Sequence, residues 1–300
     1  MIKPLFKWAG AKNKMKEKYR PYFWPNQKID LFVDTFYGAG AVTHWAAEHY
    51  ADTKFIINDR NTELVDFYRN LRDKSDDMIG YLKKLESDYL SIHHKDLEKR
   101  AVYYEDKRLT YVHDYDQLDP IEESAYLHFM MRICFNGWWK VYEFAKGRYS
   151  TCRGTLTEKT PFINYKLLKE TSKFFKERVI DIMSVDFAQV YFEGGPNTYV
   201  YCDPPYRESY GYEYQAGAFN DDDQKRLCKF MLECHDEGCA VSMSNREVGD
   251  GFWTEQIPDM EVLLFDAQYT AAHGPTLIDA KEVLIRNFKS EQSALESLFG

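Results

Sequence analysis

Long apolar runs are missing from this chain of 300 residues. No stretch approaches the roughly 18 consecutive apolar residues that cross a bilayer, and Met1 to Trp8 carries lysines where a secretory signal needs an apolar centre. These absences exclude a helical membrane protein and predict a cytoplasmic one. The six cysteines (Cys134, Cys152, Cys202, Cys228, Cys234, Cys239) form no C-x-x-C pair and have no histidine at zinc spacing, so they read as reduced packing thiols with no metal site. A positive charge excess is missing too, with 39 Lys and Arg against 48 Asp and Glu, a net −9. Phosphate contacts supply most non-specific nucleic-acid affinity, so this balance argues at first against such a partner. The distribution argues the other way. From Arg132 to Arg178 eleven basic residues face four acidic ones, and in the first 20 residues seven face one. Two basic segments on an acidic body suit a protein that holds DNA on one face, and the lesser alternative is that Lys166, Lys169, Lys173 and Lys176 merely solvate a helix face.

What the chain does have is a tetrapeptide, Asp203-Pro204-Pro205-Tyr206, at the end of the apolar run Tyr199-Val200-Tyr201-Cys202. Two prolines fix φ and push the residue before each out of the α region, so the backbone leaves the strand on a set path. The turn offers a carboxylate, a rigid carbonyl and an aromatic face, which together can grip a planar exocyclic amine. Taken alone, the same four residues also describe a strand ending in a proline turn with a surface aspartate. Upstream, Leu31-Phe32-Val33-Asp34-Thr35-Phe36-Tyr37-Gly38-Ala39-Gly40 is an apolar strand running into a glycine turn, with a helix expected from about Ala41. Phe55 to Asn58 reads as the next strand. Asp59 then falls about 20 residues after Gly40, where nucleotide-binding sheets place an acid on ribose hydroxyls.

The remaining pattern is strands and helices alternating at both ends around a different middle. Leu64, Val65, Tyr68 and Leu71 share helical spacing over Thr62 to Leu71, and Met78, Leu82 and Leu85 continue it into a charged, tyrosine-rich stretch from Ser75 to Tyr115. Ala125 to Phe135 reads as a further helix stopped by Asn136-Gly137. Trp138-Trp139-Lys140 and Val141 to Tyr149 then suggest a hairpin closed near Lys146-Gly147. Its mixture of rings and cations, including Trp138, Lys140, Arg148 and Arg153, suits phosphate contact, base-edge bonds and stacking. The two tryptophans are equally common as core residues.

Taken in order, these motifs resemble the Dam-type DNA adenine-N6 methyltransferases of bacteria and their phages. The resemblance is carried by Phe6-Lys7-Trp8-Ala9-Gly10-Ala11-Lys12, Asp34 to Gly40, Asn136-Gly137 and Asp203 to Tyr206, with Glu282 to Phe288 as a closing strand. It implies an α/β fold: a Rossmann-like S-adenosylmethionine-dependent methyltransferase sheet with an inserted helical and hairpin DNA-recognition domain. The catalytic domain would be 1–74 and 179–300, and the target-recognition domain 75–178. S-adenosylmethionine would be the cofactor, with Trp8, Lys12, Asp34, Phe36, Gly38, Gly40 and Asp59 around it. Asp186 and Phe187 would hold its adenine, although Asp186 equally suits a helix N-cap. Asp203, Pro204, Pro205 and Tyr206 would bind a flipped adenine and act on its N6 without a metal or a covalent intermediate.

Double-stranded DNA would be the partner of a monomeric, cytoplasmic enzyme, contacted by Lys7, Asn136, Trp138, Lys140, Arg148 and Arg153. One departure bears on specificity. Lys140 stands where the family usually has Arg, and lysine lacks the fork that best reads guanine, so a GATC target does not follow. The segment Thr270 to Pro275 also lacks the basic cluster that relatives can carry there. Two other readings stay open on sequence: a methyltransferase for another amine (cytosine N4, RNA or protein), and a silent DNA-binding relative.

Overall fold

A computed structural model describes residues 2–8, 12, 15–134, 140–141, 149–154, 156–207, 219–270 and 277–290, with backbone only at 140, 141, 149, 269, 270, 277 and 278. In chain order the elements are α1 (Lys16–Phe23), β1 (Leu31–Asp34), α2 (Ala41–His49), β2 (Lys54–Asn58), α3 (Thr62–Asp73), α4 (Ser75–Ser91), α5 (Leu97–His113) and α6 (Pro120–Ile133). There follow β3 (Lys140–Val141), β4 (Tyr149–Ser150), α7 (Tyr165–Arg178), β5 (Val179–Met183), β6 (Thr198–Cys202), α8 (Asp221–Asp236), β7 (Ala240–Glu247), α9 (Phe252–Gln256), β8 (Glu261–Thr270) and β9 (Leu277–Arg286).

Seven strands form one sheet in the order β5-β2-β1-β6-β7-β9-β8. The first five are parallel and β9 runs antiparallel to both its neighbours. Strands β1, β2 and β6 are short apolar runs because helices cover both sheet faces. Alternate residues divide between those faces. Phe32, Phe55, Ile57, Tyr199 and Tyr201 join the larger core with α3 to α7, while Val33, Ile56, Val200, Cys202, Val241 and Met243 pack with α8 and α9. The buried tyrosines are satisfied by hydroxyl partners, Tyr199 with Ser242 at 2.6 Å and Tyr201 with Ser244 at 2.9 Å.

Helices α4, α5 and α6 contribute to the larger core. Met78, Leu82 and Leu85 are buried, as their spacing predicts. Two buried charges, each fully engaged by backbone or hydroxyl groups, fasten the chain that returns from the hairpin. Glu86 accepts the Phe162 and Ile163 amides at 2.6 and 2.7 Å and the Tyr165 hydroxyl at 2.6 Å. Arg100 donates to the carbonyls of Ile92, Leu156 and Glu158 at 3.0–3.2 Å. The expected hairpin exists as β3 paired with β4, its tip lying outside the described residues. The expected helix before it differs at both ends. It starts at Pro120, capped by the Asp119 carboxylate on the Ile121 amide, and it ends at Ile133 rather than at Asn136-Gly137. Cys134 turns extended and bridges Arg153, so strand-like pairing, not a glycine stop, ends α6.

Strands β1 and β6 are neighbours, but the chain leaves β1 toward β2 on one side and β6 toward β7 on the other. Such a reversal opens a crevice at the carboxyl ends of the two strands. Asp34 ends β1 and Asp203 follows β6 directly.

Candidate active site

The glycine turn after β1 is built by its own geometry. Gly38 and Gly40 have φ of 51° and 74°, conformations that side chains rarely adopt. Gly40 caps α2 and donates its amide to the Tyr37 carbonyl at 2.7 Å. A Cβ on Gly40 would lie 2.3 Å from the Tyr37 ring, which is buried edge-on to Tyr68 with centroids 4.9 Å apart. Gly40→Ala should therefore lose about 2–4 kcal/mol of stability, from backbone strain plus overpacking. An unchanged urea midpoint would show that the turn is not held this way. At Gly38 the close neighbour is Trp8, whose Nε1 would lie 2.9 Å from an added Cβ. The indole thus covers the turn.

Three carboxylates ring this turn. Asp34 Oδ2 accepts from the Thr43 hydroxyl at 2.7 Å, while Oδ1 is buried with no hydrogen-bond partner among the described residues. Burial pushes the Asp34 carboxyl up to about 7 against the pull of the Thr43 hydroxyl and the Phe36 amide. Asp59 accepts the amides of Gly38 at 2.8 Å and Asn61 at 2.9 Å, one on each oxygen. Burial raises its carboxyl and the two amides oppose the shift. Each oxygen of Asp59 keeps a lone pair for a further donor.

Asp203 keeps a fifth of its side chain exposed. Lys12 lies across it, with Nζ 2.6 Å from Oδ1 and 2.7 Å from Oδ2 and the lysine itself 4 % exposed. Burial still pushes the Asp203 carboxyl up to about 6, although Lys12 pulls it down. The same ammonium sits 4.7 Å from the centroid of the Tyr206 ring. The Tyr206 hydroxyl donates to Glu282 Oε2 at 3.3 Å, and Tyr19 donates to that oxygen at 2.8 Å. Pro204 is buried and Pro205 half-buried.

Beside the turn, Phe36, Phe187 and Phe219 form a triangle of rings with centroids 5.6–6.0 Å apart. The slot they border, shared with Thr35, Asn58, Arg60, Val185 and Asp186, has room for about 10 Å³, one water molecule. Asp186 accepts the Ala188 amide at 3.1 Å as an N-cap and pairs with Arg226 at 2.7 Å. Asn58 ties three segments, donating to the carbonyls of Thr35 and Val185 and accepting the Val185 amide at 3.0–3.1 Å.

Trp8, Lys12, Asp34, Phe36, Gly38, Gly40, Asp59, Asp186 and Phe187 thus gather around one crevice with Asp203 to Tyr206. Lys12, expected at the cofactor, is engaged with Asp203. Sequence reasoning missed Glu282, Asn58 and Phe219. A polar residue closing the apolar run Phe55 to Asn58 was a usable signal for Asn58; no spacing marks the other two. Of the expected DNA contacts, Lys7 and Arg153 are exposed. Asn136, Trp138, Arg148, the Lys140 side chain and most of Thr270 to Pro275 lie outside the described residues. Three of the four lysines of α7 pair with acids, Lys166 with Glu170, Lys169 with Asp76 and Lys173 with Glu177 at 3.2–3.8 Å, the solvated-face arrangement.

Among known proteins, the chain is 30% identical over 251 residues to the type II methyltransferase M.MjaIII of Methanocaldococcus jannaschii, covering 81% of this chain and 84% of that one. It is 28% identical to the type II methyltransferase M1.LlaDCHI of Lactococcus lactis subsp. cremoris, over 81% of each chain. It is also 27% identical to the DNA N-6-adenine-methyltransferase of Escherichia phage P1, over 80% of this chain and 29% of that longer one. Residues 8–270 match a single family model, and the chain belongs to the D12 class of N6 adenine-specific DNA methyltransferases.

Proposed function

We propose that this chain carries out the N6-adenine methylation of its family on a nucleotide flipped out of double-stranded DNA, with Asp203 and the Pro204 carbonyl as the acceptors of the amine protons. The observation that carries the proposal is the placement of Asp203: a desolvated carboxylate, beside a ring face and across the crevice from the glycine turn, already gripped by an N–H donor. Lys12 and a base amine present the same kind of donor to the same oxygens. The ammonium therefore marks where the amine belongs, and keeps Asp203 ionised until the base arrives.

The exocyclic nitrogen of adenine is a poor nucleophile because its lone pair is delocalised into the ring. Two bonds from its protons, to Asp203 and Pro204, favour the pyramidal, electron-rich nitrogen of the transition state. As the methyl group's bond to the donor sulfur breaks and its bond to the nitrogen forms, the nitrogen would give up one proton, for which Asp203 Oδ is placed as the base. Flipping costs a few kcal/mol of unstacking. The Tyr206 ring, held by its hydroxyl on Glu282, offers a stacking face that offsets part of it.

When bound, S-adenosylmethionine supplies an electrophilic methyl group on a sulfonium. The residues of the crevice fit such a group. The buried Asp34 carboxylate suits a cationic neighbour, Asp59 suits a ribose diol, and Phe36, Phe187 and Phe219 suit an adenine ring. Because their slot holds one water, a heterocycle enters only by displacing a wall, and Phe219 is the wall that comes from outside the sheet's own strand ends. We assign target reading to the 75–178 segment, where Lys7 from the N-terminus and Arg153, with Asn136, Trp138, Lys140 and Arg148, would meet DNA.

Incubating the protein with tritiated S-adenosylmethionine and unmethylated genomic DNA should place label in N6-methyladenine after digestion to nucleosides. Label in cytosine, or none in DNA despite cofactor binding, would overturn the proposal. Sequencing the modified sites would give the target motif, which need not be GATC.

A further inference from the structure

We propose that Gln224 and Asn245 are positioning residues for methyl transfer, a buried pair of amide side chains that holds the peptide units on both sides of Tyr206. The inference rests on the roles given above to Asp203 and Tyr206. Pro204 and Pro205 have no N–H, so this turn cannot be tied down by donors of its own at those positions. Yet a misplacement of about 1 Å in a reacting geometry can cost a hundredfold in rate.

The turn is held from outside. Gln224, in the first turn of α8, donates Nε2 to the Pro205 carbonyl at 2.9 Å. Its Oε1 accepts from Asn245 Nδ2, on β7, at 3.0 Å. Asn245 Oδ1 in turn accepts the backbone amides of Arg207 at 3.1 Å and Arg246 at 2.8 Å. Both side chains have no solvent exposure. One chain of bonds therefore runs from α8 through β7 to both flanks of Tyr206. Just beyond, the Arg207 guanidinium forks onto Asp221 and Asp250 at 2.8–3.0 Å and lies 3.9 Å from the Phe252 ring centroid, fixing the exit of the turn.

An amide is the group this position needs. It donates and accepts at once, and it adds no net charge close to Asp203. Apolar residues of similar size would fill the space but leave the Pro205 carbonyl and the Arg207 and Arg246 amides without these partners, so what the pair adds beyond packing is a fixed path for the peptide units beside Tyr206.

The test uses full-length Gln224→Met, Asn245→Leu and the double variant, with steady-state methylation of unmethylated DNA. Each single variant should lose about 10- to 100-fold in kcat while KM for S-adenosylmethionine stays within about threefold of the starting protein. The double variant should be no slower than the worse single one, because the amides act as one unit. Full kcat in the single variants, beside a parent that makes N6-methyladenine, would overturn the positioning role and leave the function standing. Losses that multiply, or that fall equally on cofactor affinity, would overturn it too. If the parent makes no N6-methyladenine, the reading of function fails first and hydrogen exchange decides the anchoring. The Arg207 amide should exchange at least about tenfold faster in Asn245→Leu with the β7 interior unchanged; unchanged protection would remove the anchor.

Discussion

Asp203→Asn should lower kcat by about a hundred- to a thousand-fold, the loss of roughly 3–4 kcal/mol of transition-state stabilisation expected when one aimed polar contact goes. Asparagine keeps the shape of the side chain and one acceptor oxygen. It loses the charge that favours an electron-rich nitrogen, and its own NH₂ faces both the base amine and Lys12, which also donate. The defect should lie in the chemical step: cofactor affinity and urea midpoint should stay near those of the parent protein. Single-turnover labelling with saturating cofactor and DNA separates these quantities, and a rate close to the parent's would rule out the assigned chemistry. The pH dependence gives a second reading. With the Asp203 carboxyl near 6, the parent should lose activity as pH falls through that value, because a protonated acid cannot accept both amine protons. The asparagine variant should lack that acid limb.

Asp34→Asn should make the protein more stable and unable to bind its cofactor well. The folded carboxyl sits near 7 against 3.8 for an ordinary aspartate, chiefly through burial. A raised acid is protonated more readily folded than unfolded. The resulting cost to stability is therefore absent below about pH 4, grows between 4 and 7, and is complete above 7, where it amounts to at most about 4 kcal/mol. Relief of that cost predicts equal urea midpoints for the two proteins near pH 4 and a higher one for the variant at pH 8. Cofactor affinity should move oppositely. A bound cation favours the ionised carboxylate, so the parent should bind S-adenosylmethionine more weakly as pH drops through about 7. The variant should bind about 10- to 100-fold more weakly at pH 8, with little pH dependence. Equal affinities at pH 8 would mean that Asp34 does not face the cofactor. With the expected loss of affinity, the acid is a destabilising group kept for its ligand, a common trade between stability and function.

Much of the fold was legible because strands buried on both faces must be apolar throughout. Phe55 to Asn58 and Tyr199 to Cys202 announce themselves, and Leu64, Val65, Tyr68 and Leu71 announce α3. Strand β7 reads less plainly, because Val241 and Met243 alternate with Ser242 and Ser244, whose hydroxyls meet those of Tyr199 and Tyr201, and serines on one face disguise a strand buried on both. The start of α6 was encoded locally in Asp119-Pro120, whereas its end depends on a pairing between Cys134 and Arg153. In the site, the tetrapeptide and the glycine turn were visible because backbone demands dictate their residue types. The Lys12–Asp203 contact joins residues 191 positions apart, and the hold of Glu282 on Tyr206 spans 76. Pairings of that kind are made by topology, which no spacing within the chain reveals.

Strand β9 lies in the interior of the sheet, between β7 and β8, although β8 precedes it in the chain. An edge strand made earlier thus waits for a later one to join it to the body, and the later one also carries the carboxylate that steadies the Tyr206 ring. During synthesis, a chain that has not yet reached residue 277 carries the glycine turn and the proline turn but lacks the strand that supplies Glu282 to Tyr206. The hold on the Tyr206 ring is therefore among the last contacts the chain can make as it is synthesised.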